Sequence, residues 1–356
     1  MDLVVMILAG GGGTRFWPLS TEEKPKQFLK LFGDRSLLQE SFDRICDLIP
    51  HQQILVLTNL AFIDLVREQL PEIPPENIIG EPILRDTAAA VCLGTVLSHK
   101  RFGNSIIATL TADHIIEPID AFHKTLLSAA RMAHESETLY TFGIQPTYPA
   151  TGYGYLELGT KVADDEGIEH FQLVSFKEKP DRETASHYVD EGRFYWNSGM
   201  FVWTTKTIIR EIETHIPNHL RAISEAVRFE HTPQWASALK KAFESLEPIS
   251  IDYAVMEKAQ EVRCIVSKFS WIDVGSWQAL KDLLPHDDAG NCCRGQAFIQ
   301  DAKGNLVFCE NPKEAVMLIG VKDLIVVRVG QRTLIAHKDR SEEIKKLVQI
   351  MRNNSY

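Results

Sequence analysis

The chain lacks any stretch apolar enough to cross a bilayer: its N-terminal run, LVVMILA, covers only residues 3–9, against the roughly 20 residues a membrane helix requires. No basic segment precedes that run, so neither export nor membrane insertion is expected and a cytoplasmic location is. Positive charge is also short, with 38 Lys and Arg against 48 Asp and Glu and a formal net charge of −10. That balance argues against general binding of nucleic acid or anionic membranes. A phosphate ligand would need a local arrangement of cations. The six cysteines (46, 92, 264, 292, 293 and 309) contain no C-x-x-C pair and join no histidine at zinc spacing, which reads as reduced thiols. No low-complexity linker and no long-period repeat is present.

With 356 residues, of which 44% are hydrophobic, the chain exceeds the size at which one core stops growing, and a large domain with a smaller one is expected. Short apolar runs at 3–9, 53–59, 105–112 and 139–144 alternate with amphipathic stretches. This rhythm predicts strand–helix–strand units around a mostly parallel, doubly covered sheet. Helices are expected over 36–48, 88–99, 122–133, 181–191, 205–215 and much of 218–245. Residues 152–174 read as antiparallel strands forming a flap. Past Asp287 short strands are broken by turn signals, as in a brief β-solenoid, and the chain closes in a charged helix over 341–351.

The loop after the first run, LAGGGGTRFWPLS, places four glycines, Gly10 to Gly13, before Arg15. Two phosphate-binding fingerprints are missing from it. G-x-G-x-x-G fails because Arg15 or Phe16 stands where the third glycine should be, and no Gly-Lys-Ser/Thr follows for a P-loop. There remains a loop of bare backbone ending in Arg15 and followed by Lys24, Lys26 and Lys30. An arginine fork and a lysine point charge are the cations a polyphosphate needs. On the residues alone, a solvated glycine turn with Lys and Arg nearby is the better reading.

The segment LAGGGGTRFWPLSTEEKPKQFLKL resembles the signature of sugar-1-phosphate nucleotidyltransferases, and within them the mannose-1-phosphate guanylyltransferases. The likeness continues through EPILRDTAAA (81–90), TADHII (111–116), TGYGYLE (151–157), FKEKP (176–180), WNSGMF (196–201), SIDYAVMEK (250–258) and WIDVGSW (271–277). The resemblance implies an α/β, Rossmann-like, mostly parallel mixed sheet of the nucleotide-diphospho-sugar transferase fold over residues 1–286. A small β-rich, β-helix-like domain with a final helix would occupy 287–356. It implies transfer of GMP from GTP to mannose 1-phosphate, giving GDP-mannose and pyrophosphate, by in-line attack on the α-phosphorus. Such chemistry depends on positioning and charge neutralisation and needs no nucleophilic side chain.

The resemblance assigns catalytic roles to Arg15 on the triphosphate tail, Lys26 on the α/β-phosphates and Lys179 on the sugar phosphate. Asp113 and Asp273 become Mg²⁺ ligands, with His114 structural because Mg²⁺ prefers oxygen. Nucleotide contacts fall on Leu8, Ala9, Gly10, Gly11, Gly13 and Thr14, on Glu81, Asp86, Thr87 and Ala88, and on Ala112. The family's usual Asn and Pro are replaced by Asp86 and Ala89. Guanine still fits, since a carboxylate from Glu81 or Asp86 can accept from N1–H and N2–H₂. The sugar phosphate would meet Gly154, Glu178, Lys179 and Asn197, whose amide can both donate and accept. Glu178 and Lys179 are adjacent, so only a chain break, which Pro180 makes plausible, lets both face one spot. Trp196 and Phe201 read as core, and Asp252 as a helix N-cap. A homodimer is expected. Bifunctional relatives carry an isomerase domain beyond this length, so isomerase activity is not expected. The alternatives are the same reaction with another nucleotide or hexose 1-phosphate, and a silent ligand-sensing paralogue.

Overall fold

The computed structural model describes residues 2–11, 14–177 and 179–353. They fall into two compact units whose segments interleave along the chain rather than parting at one boundary. The first takes Met1–Gly10, Ser41–Ala112 and Ile116–Trp271; the second takes Gly11–Glu40, Asp113–Ile115 and Ile272–Tyr356.

The first unit is built on strands β1 (Leu3–Ala9), β2 (Ile54–Asn59), β3 (Ile78–Glu81) and β4 (Ile106–Thr111), and the short β5 (His114–Glu117), outside the main sheet, begins in the second unit and ends in the first. β6 (Leu139–Ile144), β7 (Tyr155–Asp165), β8 (Ile168–Lys177), β9 (Phe194–Thr204) and β10 (Val262–Val266) complete it. The nine-stranded order is β3-β2-β1-β4-β9-β6-β10-β8-β7. β3, β2, β1 and β4 are parallel, and so are β6 and β10. β9 runs antiparallel between β4 and β6, so the sheet is parallel over one half and mixed over the other. β1 reads as a continuous apolar run because it lies mid-sheet with both faces covered.

Helices α1 (Leu37–Asp43) and α2 (Ile63–Gln69) are short; turns replace the expected continuation of α1 to residue 48. α3 (Asp86–Phe102) lies close against β1, and Gly94 permits this: a Cβ there would sit 2.2 Å from Met6 Sδ. α4 (Ile119–Ser136), α5 (Arg182–Glu191), α6 (Thr205–His215), α7 (Pro217–Val227) and α8 (Trp235–Glu244) follow the amphipathic stretches of the sequence. The expected flap is the β7–β8 hairpin, closed by Glu166 and Gly167 with φ of +55° and +83°, the signs a two-residue turn with the strands' own twist demands.

β11 (Ser270–Asp273) begins in the first unit and ends in the second on Asp273, where α9 (Trp277–Leu283) follows. β12 (Cys292–Arg294), β14 (Leu306–Cys309) and β16 (Leu324–Val329) stack in parallel, as do β13 (Gln296–Gln300) and β15 (Ala315–Ile319). β17 (Arg332–His337) closes the stack antiparallel, and α10 (Ile344–Asn353) ends the described chain. Asn305 N and Nδ2 both donate to Asn291 Oδ1, at 3.0 and 2.9 Å, and Leu324 N donates to Asn305 Oδ1 at 2.9 Å. These buried asparagines satisfy the corners of successive coils. Phe16, Leu29, Leu31 and Leu37 pack with Trp277, Phe308, Ile325 and Leu334 in one core. The apolar residues of the N-terminal signature are thus anchored in the C-terminal β-helix.

Candidate active site

The second unit gathers two carboxylates and two cations from distant parts of the chain. Asp113 O accepts from Val274 N at 3.3 Å, and Asp273 O from Gly275 N at 2.8 Å, so backbone contacts hold both acids. Lys26 opens a short 3₁₀ turn after the buried Pro25, with Gln27 and Phe28 buried behind it. Its Nζ is 2.6 Å from Asp113 Oδ2 and 3.7 Å from Asp273 Oδ1, and donates to Val274 O at 3.3 Å. Burial pulls the Lys26 pKa down, but Asp113 and Asp273 outweigh it and the ammonium titrates above its ordinary value. Gly275 leaves room beside them: a Cβ there would lie 3.6 Å from Asp273 Oδ2 and 3.8 Å from Arg15 Nη1.

Asp273 Oδ1 is buried and accepts no hydrogen bond among the described residues. That oxygen faces Lys26 Nζ at 3.7 Å, beyond hydrogen-bond range, and can take a metal ion as well. Donor atoms of Asp113, His114 and Asp273 lie within 4.8 Å of one another, and His114 Nε2 is 3.9 Å from Asp113 Oδ1. This set fits a divalent ion that keeps open positions for phosphate oxygens and water. His114, expected to be structural, is buried but close enough to count among the candidate donors.

The first unit holds the other expected residues. Glu81 ends β3, 4% exposed, and a Cβ on Gly10 would lie 3.7 Å from its Oε1. Burial, and second the charge of Asp86, push the Glu81 carboxyl up to about 8. Asp86 is exposed, with φ of +62°, and its Oδ1 accepts from Thr87 N at 2.7 Å. Thr87 Oγ1 accepts from Ile251 N at 2.9 Å and Ala88 N donates to Ile249 O at 3.1 Å. Ala112 N donates to Leu8 O at 3.1 Å, and Ala9 O accepts from Thr58 Oγ1 at 2.9 Å. The amides of Ala88 and Ala112 are therefore already committed, which leaves Glu81 as the buried polar group of this set.

Gly154 is buried and its carbonyl accepts from Asn197 N at 2.8 Å. Asn197 Nδ2 donates to Asp252 Oδ1 at 2.9 Å. Asp252 opens a π-helical turn, 252–256, and spends its carboxylate on Asn197; Ile251 holds the cap position expected for it. Trp196 and Phe201 are core, as expected, with Trp196 ringed by Tyr148 and Tyr153. Lys179 is exposed at φ +38°, so the chain does break before Pro180. Gly13 and Glu178 lie outside the described residues, Gly11 is exposed, and Thr14 enters a 3₁₀ turn with Arg15. Sequence reasoning misses the Val274 carbonyl and Thr141, because a backbone oxygen and a core threonine carry no motif of their own.

A nucleotidyl transferase family model matches residues 4–289, and a mannoseP isomerase/GMP-like beta-helix domain matches 296–351. The chain belongs to the nucleotidyl transferase family. Within this family it is 37% identical over 99% of its length to a mannose-1-phosphate guanylyltransferase of Escherichia coli, spanning 74% of that protein. A mannose-1-phosphate guanylyltransferase of Sinorhizobium fredii is 37% identical over 98% of the chain and 67% of its own length. A crystal structure described as a mannose-1-phosphate geranyltransferase from Thermus thermophilus superimposes with a TM-score of 0.88 at 32% identity, covering 99% of this chain and 100% of that one. For a nucleotidyl transferase, a pair of carboxylates at a lysine and an arginine is the expected way to meet a metal-bound triphosphate.

Proposed function

We propose that the protein is a mannose-1-phosphate guanylyltransferase that joins GTP and mannose 1-phosphate into GDP-mannose with release of pyrophosphate. The observation that carries this reading is the Lys26 ammonium seated against both Asp113 and Asp273. Such a cluster handles phosphate charge and contains no hydroxyl or thiol nucleophile. A phosphate oxygen of the sugar forms the new bond to the α-phosphorus of GTP, and the bond from that phosphorus to the bridging oxygen breaks with its electron pair on pyrophosphate. Arg15 takes the triphosphate tail and Lys26 the α/β-phosphates, so both neutralise charge that builds on the leaving group. Mg²⁺, when bound by Asp113 and Asp273, supplies Lewis-acid neutralisation of phosphate oxygens.

Glu81 reads guanine. Ionised, its carboxylate accepts from N1–H and N2–H₂; Asp86 stays at the rim on its own backbone. Nucleotide contacts are assigned to Leu8, Ala9, Gly10, Gly11, Gly13 and Thr14, and to Thr87, Ala88 and Ala112. Lys179 meets the sugar phosphate, and Glu178, Gly154 and Asn197 meet the sugar. The working protein is a cytoplasmic homodimer, with residues 1–286 catalytic and 287–356 accessory. Pyrophosphate release measured across the four nucleoside triphosphates and a panel of hexose 1-phosphates tests this reading, with the fastest release expected for GTP and mannose 1-phosphate. Another pair ahead of it would redirect the specificity, and no release with any pair would leave a sensing role.

A further inference from the structure

The pairing of β6 with β9 slips inside the first unit: Thr141 stands opposite Phe201, yet Gly143 stands opposite Asn197. Residues 198–200 of β9 therefore face Phe142 alone, and the bulge is filled by Ser198 and Gly199. Gly199 has φ of +69°, and a Cβ there would meet nothing within 4 Å. Glycine is needed for the left-handed backbone, not for space. That conformation turns Gly199 N–H back onto Asn197 Oδ1 at 3.3 Å. Thr141, fully buried, donates to the same oxygen at 3.0 Å and lies at a longer 3.4 Å from Met200 O. On the other side, Asn197 Nδ2 donates to Asp252 Oδ1 at 2.9 Å.

A backbone N–H cannot accept and a carboxylate is an acceptor, so the amide orientation is fixed from both sides. Both acceptor positions of Oδ1 are filled, and one Nδ2 hydrogen is on Asp252. The second Nδ2 hydrogen has no partner among the described residues. We propose that Asn197 meets the sugar as a hydrogen-bond donor only, and that Thr141 and Asp252 are positioning residues that hold it so. This rests on the sugar lying at Asn197, as in the proposed function, and sharpens it. The sugar hydroxyl at that point is read as an acceptor, and an amide able to do both is reduced to one role.

The test is a set of kinetic measurements on the full chain: kcat and KM for mannose 1-phosphate and for GTP with Asn197→Ala, Asn197→Asp, Thr141→Val, Thr141→Ser and the double variant N197A/T141V. Losing one hydrogen bond to the sugar in N197A should raise the sugar-phosphate KM by about tenfold, with the KM for GTP unchanged. N197D, which puts an acceptor where the donor was and a second carboxylate against Asp252, should be worse than N197A. T141V should raise the same KM by about fivefold, and T141S, which keeps the hydroxyl, should restore it. In the N197A background T141V should add nothing, because Thr141 acts through Asn197. A full, independent T141V effect in that background would overturn the positioning role, and N197D matching wild type would overturn the donor role. An unchanged sugar-phosphate KM in N197A would remove the sugar from this place and the proposal with it.

Discussion

Two sets of carboxylates in this protein have the same chemistry and opposite settings. Asp113 and Asp273 stand in the second unit with Lys26 and Arg15 close by, and one oxygen of Asp273 is buried with no hydrogen bond among the described residues. Glu81 stands in the first unit, buried near Gly10, with another acid rather than a cation as its charged neighbour. The first pair stands against a lysine ammonium, with its oxygens close enough together to share a metal ion. Burial, and second the charge of Asp86, push the Glu81 carboxyl up to about 8. A carboxylate pair with a cation at hand has the chemistry to meet phosphate, and a buried carboxyl with an acid for a neighbour has the chemistry to meet hydrogen-bond donors.

The acid pair carries the largest expected effects. Asp113→Ala or Asp273→Ala should lower turnover by about 10³-fold or more while circular dichroism stays native; pyrophosphate release near the wild-type rate with Mg²⁺ would defeat the metal assignment. Lys26→Met should cost about 10²–10³ in kcat. It should also strengthen Mn²⁺ binding to the nucleotide-free protein by at least about tenfold, since the ammonium competes for the same two carboxylates. Electron paramagnetic resonance of free Mn²⁺ reads the second effect without turnover.

The scaffold of the acid pair offers the next test. Trp277 is fully buried, packs its ring 5.1 Å from both Phe16 and Phe308, and donates from Nε1 to Trp17 O at 3.1 Å. Trp277→Ala should destabilise the second unit by about 3–5 kcal/mol in urea unfolding and should leave the titration of Glu81 in place.

Glu81 is the softer side of the contrast. Glu81→Gln should raise the KM for GTP by about tenfold with kcat little changed, because a neutral amide accepts less strongly than a carboxylate. In the wild type, Glu81 carries a proton below about 8, so kcat/KM for GTP should rise with pH up to that point and then level; the variant should not show this limb. The stability effect has the opposite sign. The fold favours the neutral acid, so its contribution is whole below the ordinary carboxylate range and is lost as pH climbs through about 8. The smallest effect is Asp86→Asn, which removes the second cause of the shift and should lower the Glu81 midpoint by less than about one unit.

Much of the fold is readable from the chain. The runs 3–9 and 139–144 and the helix 205–215 appear at the expected bounds, because continuous apolar strands and a strong amphipathic helix are set by local pattern. β9 does not read as a strand, since its bulge and Gly199 interrupt the alternation that marks one. The acid pair is identified by resemblance, and no periodicity could bring Lys26, Asp113 and Asp273 together across such separations. Nor could composition reveal that Ala88 and Ala112 already spend their amides internally, or that the charged neighbour of Glu81 is an acid. Those are properties of packing. Phe16, Leu29 and Leu31 look like an ordinary apolar flank of a loop until the β-helix provides their core.

The opposition of the two carboxylate settings is tested most directly by counting protons. GTP is titrated calorimetrically into the wild type and into Glu81→Gln at pH 7 in buffers of different ionisation enthalpy. With Glu81 protonated up to about 8 when empty, guanine binding should release close to one more proton from the wild type than from the variant. Equal proton release by the two proteins would contradict the account.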